Sequence, residues 1–302
     1  LNGRSVTGAV ALNGPFATPT VDYKLQAGGL GFGETVVEGL YAEGRATVDA
    51  HRILVPVRAR AKRVSGLNAA AGGLLTNVTL AGDLAITGPQ ILSENLRIRS
   101  DKIDATAIIA ANLSTGRYAG ALKGRVNDYT IDGIGIVDLT TDADLYAAPG
   151  GGWGIKGRIV GRSKRLFNAG VRDFLGGNAL LTVNVGLDPS GIINFSNLRM
   201  AAPKLKIVRG SGRYDPAGAL LLNADGVSND YGPLFARVTG TLYAPVINLR
   251  APRPGLGVGL ADLEARIRGQ GDAYAVTATG GTSYGPFTAD VLVRMGQAVT
   301  VD

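Results

Sequence analysis

The sequence holds few side chains that could take part in acid–base or nucleophilic chemistry. His51 is the one histidine among 302 residues, and there is no cysteine. Its neighbours Asp49 and Arg52 are typical of an exposed position on a basic strand. A catalytic histidine needs a nucleophile and an orienting group, and the sequence suggests neither. We therefore expect His51 to be a surface residue.

Motifs that hold metals or nucleotides are missing as well. No HExxH segment, Cys/His cluster or Walker loop occurs. Residues 255–259 resemble a dinucleotide-binding loop, but they lack the GxGxxG spacing and a flanking βαβ unit, so a bulge or turn is favoured. Asp142 and Asp144 are adequately explained as solvated side chains of a strand. The sequence predicts a protein that is not an enzyme, with no metal and no cofactor.

The composition indicates a β protein with many turns. The chain has 45 glycines without a collagen period, mixed with abundant Val, Leu, Ile and Ala. Its mean hydropathy lies just above zero, so the folded chain should offer more apolar surface than a closed globule needs. The net charge of +7 permits anionic partners. Because the basic residues are scattered and lack interleaved aromatics for base stacking, we expect no nucleic-acid partner.

Two tight turns organise the chain. The Asp-Pro-x-Gly sequence occurs at residues 188–191 and again at 215–218. Proline presets φ at the second turn position, aspartate can bond back to the chain, and glycine suits the exit. Turns of this type connect consecutive antiparallel strands.

Apolar residues alternate with polar ones on both sides of the first turn. Leu181, Val183 and Val185 alternate before it, and Ile193 and Phe195 alternate after it. A period of two predicts a β-hairpin with one apolar and one polar face. Similar alternation recurs through most of the chain, which predicts an all-β fold: a long antiparallel sheet of repeated hairpins curled into an open hydrophobic groove.

Two segments interrupt this pattern. Pro56 has no N–H, so its strand should lie at a sheet edge or carry a bulge. Phe167, Val171 and Phe174 fall at helical spacing and Gly176 follows, which predicts one amphipathic helix over residues 162–175. The helix is expected to pack its apolar side onto the sheet, with a basic membrane-surface helix as the alternative.

The helix separates two strand segments. The predicted organisation is a sheet segment over residues 1–158, the helix segment over 159–177 and a second sheet segment over 178–302, together forming one elongated domain. Since no stretch resembles a signal peptide or a membrane span, we expect the chain to be a piece of a longer protein.

The apolar face of the sheet is the candidate site. Its side chains are mainly small and medium aliphatics, and the large aromatics that help to fill closed cores are few. Such a face would line a smooth channel about as wide as an acyl chain. The candidate groove residues are Val78, Leu80, Leu84, Ile86, Leu96, Ile98, Leu122, Val126, Ile134, Ile136, Leu181, Val183, Val185, Ile193, Phe195, Leu220 and Leu222.

The sequence of residues 178–226, 231–269 (YGPLFARVTG…) and 284–293 (YGPFTADVLV) resembles that of the TamB family of Gram-negative bacteria. These translocation and assembly module subunits belong to the AsmA-like group of bridge-like lipid transfer proteins. The resemblance is strongest after Asn178 and carries no catalytic motif. It implies the curled sheet called a β-taco, whose hydrophobic interior holds lipid tails.

The resemblance also implies a place and partners. A family member is a periplasmic protein of the cell envelope, held at the inner membrane by an anchor that would lie outside this chain. It would pass phospholipid passively between the inner and outer membranes through contacts with the acyl chains. An outer-membrane barrel protein similar to TamA is an expected partner in outer-membrane biogenesis.

Two alternatives remain open at this stage. The first is a scaffold for outer-membrane protein assembly, in which a sheet edge would template incoming strands by β-augmentation. The second is a secreted β-solenoid with a structural or adhesive role. A solenoid should show a strict short repeat, and the turn spacings in this chain are irregular.

Overall fold

The fold is described from a computed structural model of the chain. The structure describes residues 2–32, 35–49, 51–65, 75–115, 117–131, 135–147, 153–167, 169–188, 190–241, 244–254, 259–270, 273–295 and 299–301. Residues 150–152 and 255–258, and with them most of the glycine-rich segment that resembles a nucleotide loop, lie outside these ranges.

The described residues form twenty strands and one short helix. The strands are β1 Asn2–Asn13, β2 Thr20–Phe32, β3 Thr35–Val48, β4 Ile53–Ser65, β5 Thr76–Thr87, β6 Gln90–Arg99, β7 Ile103–Asn112, β8 Arg117–Ile131, β9 Gly135–Ala147, β10 Trp153–Leu166, β11 Leu180–Leu187, β12 Ile193–Ala201, β13 Leu205–Tyr214, β14 Leu220–Ser228, β15 Gly232–Gly240, β16 Pro245–Ala251, β17 Ala261–Gln270, β18 Ala273–Thr282, β19 Gly285–Met295 and β20 Val299–Val301, and the helix is α1 Ala169–Leu175.

The strands belong to one open antiparallel sheet in which each strand pairs with its neighbours in sequence. The prediction of an all-β fold made of consecutive hairpins is confirmed. Residue contacts divide the chain into two compact units. The first contains Leu1–Tyr129 and Thr140–Trp153, and the second contains Thr130–Leu139 and Gly154–Asp302.

Both Asp-Pro-x-Gly turns form as the sequence predicts. The Asp188 carboxylate accepts hydrogen bonds from the backbone N–H groups of Ser190 at 2.9 Å and Ile192 at 3.1 Å. The Asp215 carboxylate accepts one from Ala219 at 2.9 Å. The exit glycine of the first turn, Gly191, has φ of 82°, a value that favours glycine. These local bonds connect β11 to β12 and β13 to β14.

The helix is shorter than the sequence indicates, and this prediction was wrong in its first half. Helix α1 begins at Ala169, whereas Arg162–Leu166 continues strand β10. In that strand Gly161 and Ser163 alternate with Arg162 and Lys164, and Ile159 pairs with Val183 of β11. The cross-strand pairing of a whole hairpin outweighs a local helical spacing, because most helical stability comes from packing.

Of the two settings predicted for Pro56, a sheet edge or a bulge, the edge is wrong, because Pro56 lies in the interior of the sheet. Strand β4 pairs with β3 on one side and with β5 on the other. The pairing with β3 is interrupted next to Pro56, between the pairs Glu43–Arg58 and Thr47–Leu54. The interruption accommodates a residue that has no N–H to donate.

Candidate apolar binding surface

One face of the second unit carries an unbroken apolar row that crosses ten strands. Residues directly opposite in antiparallel pairs lie on the same face of a sheet, so the register defines the row. From β10 to β19 its members are Gly157, Val185, Phe195, Gly212, Leu222, Val238, Ile247, Ile267, Val276 and Val291. At about 4.8 Å per strand the row is roughly 43 Å long. We call this side of the sheet the apolar face.

The opposite side, the polar face, has the reverse character. The neighbouring row from β13 to β19 consists of Ser211, Asn223, Arg237, Asn248, Arg266, Thr277 and Asp290. All seven of these side chains are exposed, whereas all ten members of the apolar row are half-buried. The two faces of the same strands therefore offer entirely different surfaces to a ligand.

The first unit carries a similar row across eight strands. From β1 to β8 its members are Gly8, Leu25, Ala42, Ala59, Leu80, Ile98, Ala105 and Gly124. At about 4.8 Å per strand it is roughly 34 Å long. Its residues are smaller than those of the second unit, with three alanines and two glycines among eight positions.

Few large side chains of the apolar face are fully buried in the described part of the chain. Eight of the fifteen buried apolar residues there are alanines. A closed two-layer core would instead bury many large side chains. Most residues of the face are half-buried, which leaves part of their apolar surface accessible.

Most of the groove residues predicted from the sequence lie on the face of their own unit that carries the apolar row. The register places there Val78, Leu80, Leu84, Ile86, Leu96, Ile98, Leu122, Val126, Leu181, Val183, Val185, Ile193, Phe195, Leu220 and Leu222. Ile136 lies on the polar face, two residues from Asp138, whose carboxylate pairs with Lys164 of that face at 3.6 Å. Ile134 lies outside the described residues.

The sequence reasoning missed the second half of the row. Val238, Ile247, Ile267, Val276 and Val291 continue it from β15 to β19. The same period-two alternation marks these residues, for example in the run from Leu263 to Ile267. Alternation was therefore a sufficient signal for them.

The helix covers the apolar face at one end of the strands of the second unit. Leu175 of α1 is buried in a cluster with Leu166, Leu205, Leu234 and Ala251. These partners come from the ends of β10, β13, β15 and β16 that lie beneath the helix. The helix end is also tied down, because the backbone N–H of Lys204 donates to the Leu175 carbonyl at 2.8 Å. The prediction that the helix packs onto the sheet is confirmed.

Several charges on the polar face are paired across strands. The Asp104 carboxylate forms ion pairs with three guanidinium groups, at nitrogen–oxygen distances of 3.1 Å for Arg97, 3.3 Å for Arg125 and 3.6 Å for Arg99. The hydrogen bond from Arg97 and the three guanidinium charges hold the pKa of this carboxyl below its usual value. These pairs are exposed and belong to the solvated surface rather than to a catalytic centre.

The residues first considered for chemistry stay apart. His51 is exposed, and its backbone N–H donates to the Asp49 carboxylate at 2.8 Å. Asp142 forms an ion pair of 3.2 Å with Lys123. Among the described residues, no three histidine, aspartate or glutamate side chains come together as metal ligands would. In the same part of the chain, no helix has the length and apolar character needed to span a membrane.

The fold and the surface define a class: an all-β protein with an open antiparallel sheet, each unit of which presents one aliphatic face and one charged face. Comparison with protein-family models, curated proteins and solved structures found no match to this chain.

Proposed function

We propose that this chain is a segment of a lipid conduit, in which phospholipid acyl chains lie along the apolar face and the headgroups stay in water. The observation that carries the proposal is the apolar row of ten strands, every member of which is half-buried. A row of this length without a polar side chain suits a ligand that is itself long and apolar.

The energetics support an acyl chain as the occupant. Exposing lipid tails to water costs about 0.8 kcal/mol per methylene, so tens of methylenes cost on the order of 10 to 25 kcal/mol. A continuous aliphatic surface removes much of that cost. Because apolar contacts are non-directional, no position along the row binds the tail much more strongly than the next, and the lipid can slide.

The side chains also suit passage rather than storage. The rows consist of aliphatic residues with glycine and one phenylalanine, Phe195. No ionisable group lies in either row, so a tail meets no buried charge along the way. The sheet offers no energy source, and any direction of flow comes from a concentration difference or from partner proteins. The resemblance to the TamB family supports the periplasmic setting of the proposal.

The test compares two arginine substitutions one residue apart on strand β12. Phe195→Arg places a charge in the apolar row, whereas Ser196→Arg places it on the polar face next to Asn184. The protein and both variants are purified from a Gram-negative host and examined by native mass spectrometry with lipid extraction. Circular dichroism checks that each variant is folded.

We expect co-purified phospholipid with the unmodified protein and with Ser196→Arg, and at least a tenfold lower occupancy with folded Phe195→Arg. Equal occupancy in both variants would contradict the apolar row as the lipid site. A lipid-free mass for the unmodified protein would contradict the conduit itself.

A further inference from the structure

The polar face of the first unit contains a crease that crosses five strands. The pairing of β1 to β5 is interrupted in every strand, at Ser5, Gly28, Gly39, Lys62 and Asn77, and between β3 and β4 the interruption also includes Leu40 and Ala61. Three of these residues have left-handed backbones, with φ of 51° at Ser5, 61° at Gly39 and 51° at Asn77. Irregular positions of this kind bend a strand and increase its twist. Because they are aligned, the bends add up to a groove across the strands.

A pocket of about 740 Å³ lies along the crease. One wall is a row of polar-face residues that the register places side by side: Thr7, Gln26, Tyr41, Arg60 and Thr79. The other wall is formed by Ser5, Lys62 and Asn77 of the crease. The aliphatic residues that also line the pocket are Ala27, Leu40, Ala61 and Val78. The volume is within the range of small-molecule sites, and the two cations of the lining, Arg60 and Lys62, lie among hydroxyl and amide groups.

The described residues that line the pocket include two cations, Arg60 and Lys62, and no carboxylate. The Arg60 guanidinium lies 4.6 Å from the centre of the Tyr41 ring, and the Lys24 ammonium lies 5.4 Å from it. Within the described residues, Arg60, Lys62 and Lys24 form no ion pair, in contrast to Arg45, Arg97 and Lys123 of the same face. Glu43, two residues from Tyr41 on the same strand, accepts a hydrogen bond of 2.6 Å from the Tyr41 hydroxyl.

We propose that this pocket binds an anionic oligosaccharide, a chain of sugars that carry carboxylate or phosphate groups. Arg60 and Lys62 would hold the acidic groups, and Gln26, Asn77 and the hydroxyl residues would bond the sugar hydroxyls. The Lys24 ammonium and the Arg60 guanidinium both lie over the Tyr41 ring, so the ring has no open face on which a nucleobase could stack. The charged, hydroxyl and amide residues of the pocket alternate with the residues of the apolar row and lie on the opposite face, so the proposed ligand is distinct from the acyl chains of the conduit.

Isothermal titration calorimetry tests the ligand class on the whole protein. The probes are trigalacturonate, which carries one carboxylate per sugar, the neutral trisaccharide maltotriose, and inorganic phosphate. We expect trigalacturonate to bind at least tenfold more tightly than either of the others. Equal or tighter binding of phosphate would overturn the saccharide assignment, and no binding of trigalacturonate would overturn the site.

Matched variants of strand β4 locate the binding. Arg60→Gln and Lys62→Gln remove pocket cations, and each should weaken trigalacturonate binding about tenfold or more, since a charge-assisted hydrogen bond is lost. Arg58→Gln removes an exposed cation of the same face that lies outside the pocket, and it should change binding less than twofold. An equal loss in all three variants would indicate a diffuse charge effect and contradict the pocket.

Two further measurements separate this proposal from others. Sedimentation with phosphatidylglycerol vesicles should be the same for Arg60→Gln as for the unmodified protein. If Arg60→Gln lost vesicle binding and the unmodified protein did not bind trigalacturonate, the cations would belong to a membrane-binding surface instead. Lipid co-purification should be unchanged in Arg60→Gln. A failure of the saccharide site therefore leaves the conduit standing, and the reverse also holds.

Discussion

The Tyr23 hydroxyl donates a hydrogen bond of 2.5 Å to the carbonyl oxygen of Pro56, although the two residues lie two strands apart. The Tyr23 ring reaches across strand β3 at Gly44, where a methyl group would come within 2.5 Å of the Tyr23 hydroxyl. The bond joins β2 to β4 at the point where the β3–β4 pairing is interrupted. A tyrosine, a glycine and a proline on three strands thus stabilise one irregular point of the sheet.

Adding a methyl group at this point should destabilise the first unit. We expect Gly44→Ala to lower the free energy of unfolding by about 1–3 kcal/mol through overpacking, and Tyr23→Phe to lower it by about 1 kcal/mol through the lost hydrogen bond. Gly8→Ala is the control, because the nearest atom to its new methyl group is 3.8 Å away. Urea unfolding measures all three, and a Gly44→Ala variant as stable as Gly8→Ala would contradict the packing described.

The left-handed residue of strand β12 gives a backbone test. Asn197 has φ of 50°, and the pairing of β11 with β12 shifts register beside it. Asn197→Gly should leave stability unchanged or raise it slightly, whereas Asn197→Val should cost about 1–2 kcal/mol, because a β-branched residue is strained in this conformation. Ser196→Val, at the extended neighbouring position, should be tolerated. Thermal unfolding compares the three variants, and equal effects at positions 196 and 197 would argue against a left-handed Asn197.

Removing the buried side chain of α1 should release the helix from the sheet. Leu175 is 8% exposed, and we expect Leu175→Ala to lower the free energy of unfolding by about 2–5 kcal/mol. Phe167, which is 45% exposed, provides the comparison, and Phe167→Ala should cost less than about 1 kcal/mol. Hydrogen exchange of the helix amides would report local release even where the sheet stays folded. Unchanged exchange in Leu175→Ala would show that Leu175 does not anchor the helix.

The Asp104 cluster predicts a loss of stability in acid. Its pKa is lower in the folded protein than in the unfolded chain, so folding favours the charged form. The stabilisation is therefore complete above about pH 4 and disappears as the pH falls through the lowered pKa. Asp104→Asn should be less stable than the unmodified protein at pH 7, and the difference should shrink toward pH 2. Thermal midpoints across this range measure it, and a constant difference would contradict the linkage.

Much of the fold could be predicted from residue order alone. The alternation around Val183 and Ile193 and the two Asp-Pro-x-Gly turns are local signals, and the structure forms the corresponding strands and turns. The same signals placed most of the candidate groove residues on one face. Ile136 was misassigned because the apolar pair Ile136 and Val137 leaves the parity of its strand ambiguous, and the ion pair between Asp138 and Lys164 decides it.

Other features could not be read from local patterns. Residues 162–166 have helical spacing but form part of strand β10, because β10 pairs with β11, a strand about twenty residues further along the chain. The sequence predicted an edge or a bulge at Pro56, and its tolerated interior position depends on Tyr23 and Gly44 of other strands. The polar-face pocket had no signal, since Ser5, Gly39 and Asn77 are far apart in sequence and become aligned only through the register.

The sequence by itself determined that the chain forms hairpins with one aliphatic and one charged face, because the period of two and the chemistry of the turns act over a few residues. The tertiary structure decided which side chains stand next to each other across strands, where the sheet bends and which part of the apolar face α1 covers. Those outcomes depend on register and on contacts between distant segments, and the free energies of both are shared among many strands.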